Sequence, residues 1–138
     1  MGSCVGERGS SLILENFHVQ LVAENGGSLG TLYDQVCQSL EAIASWDSKD
    51  GEGVTLLTRL QLELDGSFVC GGEGWQLDGM MYDIADRLQY VDLKGSCPRT
   101  VWSSLVRIFA ESPSSAAVVK LPQGGLYDLQ SFEESVWL

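Results

Sequence analysis

The side chains most often used for nucleophilic catalysis are few and scattered in this chain. His18 is the only histidine, and both Ser-His-acid and Cys-His sites need an imidazole beside the nucleophile. The alternation of residues around His18 puts it on the polar face of a strand. The sequence also has no nucleophile elbow, phosphate-binding loop or H-E-x-x-H motif. We therefore predict no catalytic residue.

The cysteines do not have the spacing of a metal site. Cys4, Cys37, Cys70 and Cys97 occur singly, whereas a structural zinc ion needs ligands paired closely in sequence. Cys37 and Cys70 fall at apolar positions, where a free thiol packs like a small hydrophobic side chain. We predict no metal and no cofactor.

The distribution of charge is the most informative functional feature. The chain has 19 acidic and 8 basic residues, which gives a net charge of −11. Seven of the acids lie between Glu63 and Asp92 with Arg87 as the only base, so this stretch carries −6, whereas residues 93–138 are neutral. An asymmetry of this size concerns partners and association rates rather than the fold.

Length and composition indicate one folded domain. A chain of 138 residues, 44% of them hydrophobic, can bury a single core without a metal or a disulfide. No apolar run reaches the roughly 18 residues of a membrane-spanning helix, and the N-terminus does not resemble a signal peptide. We predict a flexible segment at residues 1–11, a globular domain at residues 12–138 and a cytoplasmic location.

Residue periodicity in the first half of the chain predicts a strand, a helix and a hairpin. Apolar and polar residues alternate from Leu12 to Ala23, which indicates a strand with one buried face. Spacings of three and four indicate an amphipathic helix over Leu29–Ala44, with Ser28 as its N-cap. The hairpin consists of the strand Val54–Leu64, the turn centred on Asp65 and Gly66, and the strand Ser67–Cys70.

The second half is predicted to contain three helices and two further strands. A mobile hinge at Gly71–Trp75 precedes a helix at Leu77–Val91, whose apolar stripe continues for about four turns. Another helix runs from Pro98 to Phe109. The remaining elements are strands at Ala116–Leu121 and Leu126–Leu129 and a short helix at Phe132–Leu138 with a capping box of Ser131 and Glu134.

The predicted order of elements is therefore β-α-ββ-α-α-β(β)-α. Hairpins interspersed with helices favour an antiparallel sheet with the helices on one side. We predict a single-domain α+β fold with a mostly antiparallel sheet and helices packed on one face.

A helical projection of Leu77–Val91 yields a candidate partner-binding surface. At about 100° per residue, Tyr82 faces solvent, with Asp78 and Asp86 one turn away on either side. An exposed tyrosine among acids suits capture of Arg or Lys, because interface hot spots are enriched in tyrosine. An acidic face that only keeps the protein soluble is the alternative. The other predicted members of the surface are Asp83, Glu73, Asp65 and Glu63.

The charge balance excludes some classes of partner. Binding to nucleic acid or to an anionic membrane depends mainly on Lys and Arg, and here acids outnumber bases. We expect a basic or neutral protein partner and no direct contact with nucleic acid or membrane. Inhibitors, immunity-type partners, adaptors and chaperones of basic proteins share this electrostatic logic.

Two other functions compete with this hypothesis. The protein could be a small-molecule-binding or enzymatic domain, with a pocket between helices and sheet lined by Trp75, Met80, Met81 and Trp102. It could also form a homodimer through residues 93–138, where low charge and aromatic residues resemble an interface core. The absence of a catalytic motif favours binding over catalysis.

Overall fold

A seven-stranded antiparallel sheet is the framework of the protein. The computed structural model describes residues 14–50 and 57–137. The strands are β1 (Phe17–Ala23), β2 (Arg59–Leu62), β3 (Ser67–Gly72), β4 (Trp75–Ile84), β5 (Arg87–Gly95), β6 (Ala116–Lys120) and β7 (Leu126–Asp128). Their order across the sheet is β2-β3-β4-β5-β1-β6-β7. Every neighbouring pair is antiparallel, which confirms the predicted α+β class and antiparallel sheet.

Among the described residues, three α-helices cover one face of this sheet. They are α1 (Tyr33–Asp50), α2 (Arg99–Phe109) and α3 (Leu129–Val136). Side chains alternate between the two faces of a strand, and Leu21, Leu77 and Leu93 are fully buried in one core cluster with residues of the helices. We call this the inner face and the opposite one the outer face. The helices pack on one face, as predicted.

The first helix begins later than predicted. The segment Leu29–Leu32 extends the sheet alongside β5, where the Leu88 N–H donates to the Thr31 carbonyl oxygen at 2.8 Å. These residues are therefore not helical, and α1 begins at Tyr33 rather than after Ser28. The loop between β1 and this segment borders the outer face of the sheet.

The last helix has a different cap from the one predicted. The Asp128 carboxylate accepts a hydrogen bond from the Ser131 N–H at 2.7 Å and so satisfies a free donor of the first helical turn. Ser131 consequently lies inside α3 rather than at its N-cap, and the predicted capping box with Glu134 is wrong.

The predicted helix at Leu77–Val91 is wrong, since this segment is a β-hairpin. Strands β4 and β5 are joined by Ala85 and Asp86, whose φ angles are 52° and 68°. Positive φ at both central positions defines a type I′ turn, which matches the twist of hairpin strands. The observed order is thus β-α-ββββ-α-ββ-α.

A β-bulge explains why the hairpin resembles a helix in sequence. The register passes from the pair Tyr82 and Tyr90 to the pair Asp83 and Leu88, so Gln89 is an extra residue in β5. The bulge shifts the alternation of side chains. Leu88 and Val91 are both buried although they are three residues apart, which is the spacing of a helix.

The two turns before this hairpin also differ from the predictions. Gly72 pairs with Trp75, so the predicted hinge contains only a two-residue turn, and Gly74 adopts the φ of +82° that this turn requires. In the turn between β2 and β3, the Gly66 N–H donates to the Glu63 carbonyl oxygen at 3.3 Å. Leu64 and Asp65 therefore occupy its central positions, and Gly66 follows with a φ of +97°.

Some predictions fall on parts of the chain that the structure does not describe. These are the flexible segment at residues 1–11, Leu12 and Ile13 of the first predicted strand, and residues 54–56 of the second. Within residues 14–50 and 57–137, no helix is long and apolar enough to cross a membrane.

Candidate protein-docking groove

The outer face of the sheet lacks a covering layer among the described helices and carries exposed apolar side chains. Tyr82 is 38% exposed, Ile84 at the end of β4 is 67% exposed, and Leu126 on β7 is 61% exposed. Large apolar side chains that cluster on a surface commonly mark binding sites, whereas isolated ones carry little meaning. Whether the outer face can bind a partner therefore depends on whether these side chains lie close together.

Two tyrosines form the centre of this surface. Tyr82 on β4 and Tyr90 on β5 are directly opposite each other in the register. Their rings stack with centroids 4.5 Å apart and an interplanar angle of 21°. Such an aromatic pair contributes about 0.5–1.5 kcal/mol beyond its buried area. The stack holds the Tyr82 ring in one orientation while leaving part of it exposed.

A shallow groove of about 640 Å³ extends from this pair across the sheet. The outward side chains of Val22, Tyr90 and Val119 come from adjacent strands and form its floor. Tyr82 and Leu126 lie toward opposite edges of the sheet, on β4 and β7. The groove is lined by Val22, Ala23, Glu24, Gly26, Gly27, Tyr82, Asp83, Ile84, Gln89, Tyr90, Val119 and Leu126.

The ionisable residues of the groove are acidic. Glu24 and Asp83 line it, and no lysine, arginine or histidine of the described residues does so. Lys120, the basic residue of β6, does not face the groove carboxylates. Its Nζ lies over the Tyr127 ring, 4.8 Å from the ring centroid. Glu24 and Asp83 are exposed, so their charges attract a cation through solvent over a range that salt shortens. The groove therefore suits a ligand with an apolar part and a positive charge.

Asp92 adds a third carboxylate beside the tyrosine pair. The Tyr82 hydroxyl is 3.5 Å from Asp92 Oδ2, a long contact for a hydrogen bond. Partial desolvation, followed by the charge of Asp92, raises the pKa of Tyr82 above its ordinary value of 10.0. Asp92 Oδ1 is shielded from solvent and has no hydrogen-bond donor among the described residues. Asp92 thus places one more carboxylate beside the rings.

The structure brings together only part of the predicted acidic surface. Tyr82 and Asp83 line the groove, but the prediction that Asp78 and Asp86 flank Tyr82 on a helix is wrong. Asp78 lies on the outer face of β4, where it pairs with Lys94 in the register. Asp86 occupies the turn between β4 and β5.

The remaining predicted acids lie in turns. Asp65 accepts hydrogen bonds from the Ser67 N–H and hydroxyl at 2.9 and 2.7 Å, which lower its pKa, the hydroxyl contributing most. Glu63 accepts a hydrogen bond from the Gln61 amide at 2.7 Å. Glu73 lies at the opposite end of β4 from the groove, about 30 Å away along a ten-residue strand.

The residues missed by the sequence prediction lie on other strands. Val22, Tyr90, Val119 and Leu126 join the groove because β1, β5, β6 and β7 are adjacent in the sheet. Because side chains alternate along β1, the sequence could have placed Val22 on the outer face of the sheet. Leu126 has no local signal, since its position depends on the pairing of β7 with β6.

The residues proposed for the alternative functions belong mainly to the core. Trp75, Met81 and Trp102 are no more than 5% exposed, so they pack between helices and sheet rather than line an open pocket. Phe132 and Trp137 pack around Phe17 and Trp102 with ring centroids 5.0–5.9 Å apart. Most aromatic residues of the C-terminal third therefore pack in the core of the domain.

The remaining candidates for chemistry are isolated. His18 is exposed on the outer face opposite Lys94. Burial raises the pKa of Cys70 to about 12 and raises the pKa of Cys97 as well, which suppresses their nucleophilic thiolate forms. In the part of the chain that the structure describes, no three His, Cys, Asp or Glu side chains are grouped to hold a metal ion.

Comparison of the chain with protein-family models, with curated proteins and with solved structures finds no match.

Proposed function

We propose that this protein is a small acidic binding module that docks a basic protein partner on the outer face of its sheet. An inhibitor, an immunity-type partner and an adaptor or chaperone for basic proteins would all work in this way. The observation that carries the proposal is the exposed Tyr82–Tyr90 pair in an apolar groove. Within the part of the chain that the structure describes, the charged residues that line this groove, Glu24 and Asp83, are acids. Tyrosines of this kind act as rigid interface anchors.

The charge of the whole chain supports the same partner. The net charge is −11, and the stretch that includes β4 and most of β5 carries more than half of it. Complementary charge accelerates encounter with a basic surface and disfavours acidic competitors. We expect the association rate to fall as salt rises from about 50 to 500 mM, because screening shortens the range of the attraction.

We also propose a cytoplasmic location. Cys37, Cys70 and Cys97 are free thiols, and free thiols are usual in reducing compartments. The acidic module and its basic partner would then meet in the cytoplasm.

Selection from a random peptide display library tests the docking proposal. We expect the immobilised protein to enrich peptides that combine Arg or Lys with apolar residues. Tyr82→Ala should weaken the selected peptides about tenfold, since hot-spot truncation costs more than 1 kcal/mol. Tyr127→Ala is the matched control, because Tyr127 is 39% exposed and lies outside the groove.

A charge reversal provides an independent check. Glu24→Lys should weaken peptide binding because Glu24 lines the groove, whereas Glu73→Lys, the same change about 30 Å from the groove, should have a much smaller effect. Enrichment of acidic or uncharged peptides, or equal binding by Tyr82→Ala and the unaltered protein, would count against the proposal.

A further inference from the structure

The loop after β1, Glu24–Ser28, contains an asparagine followed by a glycine. Every residue of this loop is exposed, and three of them, Glu24, Gly26 and Gly27, line the groove. The side-chain amide of an asparagine can react with the backbone nitrogen of the next residue. Glycine hinders this attack least, because it has no β-carbon. The dipeptide formed by Asn25 and Gly26 is therefore a reactive point at the border of the groove.

The side chain of Asn25 is folded toward the backbone that follows it. Its Oδ1 accepts a hydrogen bond from the Gly27 N–H at 2.8 Å, and this donor polarises the side-chain carbonyl group. The Gly26 N–H donates to the Ala23 carbonyl oxygen at 3.0 Å, and this bond must break before the nitrogen can attack. A β-carbon added to Gly26 would have no atom within 4 Å. The Asn25–Gly26 peptide can therefore rotate without displacing a neighbouring side chain.

Asn16, the only other asparagine of the chain, has different surroundings. The residue that follows it, Phe17, begins β1 and pairs with Gly95 in the register. The Phe17 ring also packs edge-on against Trp102 with centroids 5.7 Å apart. Rotation of the Asn16–Phe17 peptide would disrupt both the strand pairing and this packing. The chain therefore contains its own control for the reactivity of Asn25.

We propose that Asn25 is a site of spontaneous deamidation that adds a negative charge at the border of the groove. The Gly26 nitrogen loses its proton and attacks Asn25 Cγ. The bond from Cγ to the side-chain nitrogen breaks, and this nitrogen takes up a proton and leaves as ammonia. Water then opens the resulting succinimide ring at either carbonyl, which yields aspartate or isoaspartate. The amide and water thus become a carboxylate and an ammonium ion, without an oxidant or a reductant.

The new carboxylate lies in the same loop as Glu24, which lines the groove. A further negative charge at this place increases the attraction for a positively charged surface. Docking of a basic partner should therefore strengthen as the protein ages after its synthesis. This consequence rests on the proposed function, whereas the reaction at Asn25 does not depend on it.

Peptide mass spectrometry of the full chain, incubated for weeks at neutral pH, tests the reaction. Cleavage after glutamate places Asn16 and Asn25 in separate peptides, 16–24 and 25–41. The mass gain from amide to acid should appear in peptide 25–41 at least about tenfold faster than in peptide 16–24, because glycine leaves the attacking nitrogen unhindered. The rate should rise with pH, since this nitrogen must lose its proton. An unchanged peptide 25–41, or equal rates in the two peptides, would overturn the proposal.

Variants separate the reaction from its effect on docking. Asn25→Gln keeps an amide but would have to close a larger ring, so the mass gain should disappear. Asn25→Asp reproduces the product charge and should tighten binding of the selected basic peptides by up to about fivefold, the range for an exposed ion pair. Asn16→Asp adds the same charge at the opposite end of β1, about 20 Å away, and should have a smaller effect.

The outcomes distinguish this inference from the docking proposal. If peptide 25–41 gains mass but Asn25→Asp binds the selected peptides no more tightly than the unaltered protein does, deamidation stands and its effect on docking is refuted. If the protein selects no basic peptides, the docking proposal fails, and the mass measurement still decides whether Asn25 reacts. The mass measurement on the unaltered protein needs no variant, so it stands even if a variant folds poorly.

Discussion

Replacing Gly79 by alanine distinguishes the observed hairpin from the helix that periodicity predicts for Leu77–Val91. Within a helix, glycine to alanine raises the free energy of unfolding by about 0.5–1 kcal/mol. In the structure, Gly79 lies in β4 and faces the Phe68 ring on β3. A β-carbon added to Gly79 would have three Phe68 ring carbons within 3.0 Å. The two structures therefore predict opposite signs for the same substitution.

The magnitude follows from how firmly Phe68 is held. Its side chain is 1% exposed, and its ring packs against that of Phe109 with centroids 5.8 Å apart. Insertion of a methyl group into a filled site costs about 1–3 kcal/mol. With a urea m-value of about 1–3 kcal/mol per M, which the substitution should not alter, the midpoint should fall by roughly 1 M.

Urea titration followed by tryptophan fluorescence measures this change. Gly27→Ala is the control, because Gly27 is exposed and the nearest atom to an added β-carbon belongs to the Asn25 side chain. In a double-mutant cycle, Phe68→Leu should relieve the clash, so the penalty of Gly79→Ala should shrink by more than about 0.5 kcal/mol. A higher midpoint for Gly79→Ala, or strict additivity in the cycle, would refute the packing of Phe68 on Gly79.

Two further predictions concern buried polar groups. Glu133→Ala should lower the free energy of unfolding by about 1–3 kcal/mol, because the fully buried Trp102 loses the acceptor of its indole N–H at 2.9 Å; Glu133→Gln, which retains an oxygen, should lose less in the same titration. Burial raises the pKa of Cys70 from 9.0 to about 12. The Cys70 thiol therefore ionises in the unfolded chain at a lower pH than in the folded protein, so the free energy of unfolding is unaffected below pH 9 and falls as the pH rises to about 12. Thermal unfolding between pH 8 and 11 should show this decline, on the order of 4 kcal/mol in full, and Cys70→Ala should reduce it.

Elements with one uninterrupted period were predictable from the sequence. The alternation that ends at Ala23 and the helical spacing around Val36 and Leu40 each correspond to one buried face, so β1 and α1 were identified apart from their first residues and the end of α1, which continues past Ala44 to Asp50. Hairpin β2–β3 was identified because Gly66 supplies the positive φ that its turn requires. Local chemistry and tertiary structure agree at these places.

Hairpin β4–β5 was not predicted because three local signals are altered there. Its turn places Ala85 and Asp86 at positive φ, where glycine or asparagine would have been recognisable. The extra residue Gln89 changes the strand period, and Met80 adds an apolar residue on the outer face. The candidate site changed with the hairpin, since Tyr90 becomes the neighbour of Tyr82 only when the two strands pair.

The position of β1 in the sheet sets the order in which the domain can form during synthesis. β1 lies between β5 and β6, so both of its partners are translated long after it. Its first partner is complete only at Gly95, which is 72 residues beyond Ala23. At about 5–20 residues per second, β1 waits roughly 4–14 s for that partner to be translated. By contrast, β2 to β5 are joined by short turns and can pair as each emerges. Strands β2 to β5 can therefore pair as a four-stranded meander before β6 has been translated. Although β1 is synthesised first, it is among the last strands to join the sheet.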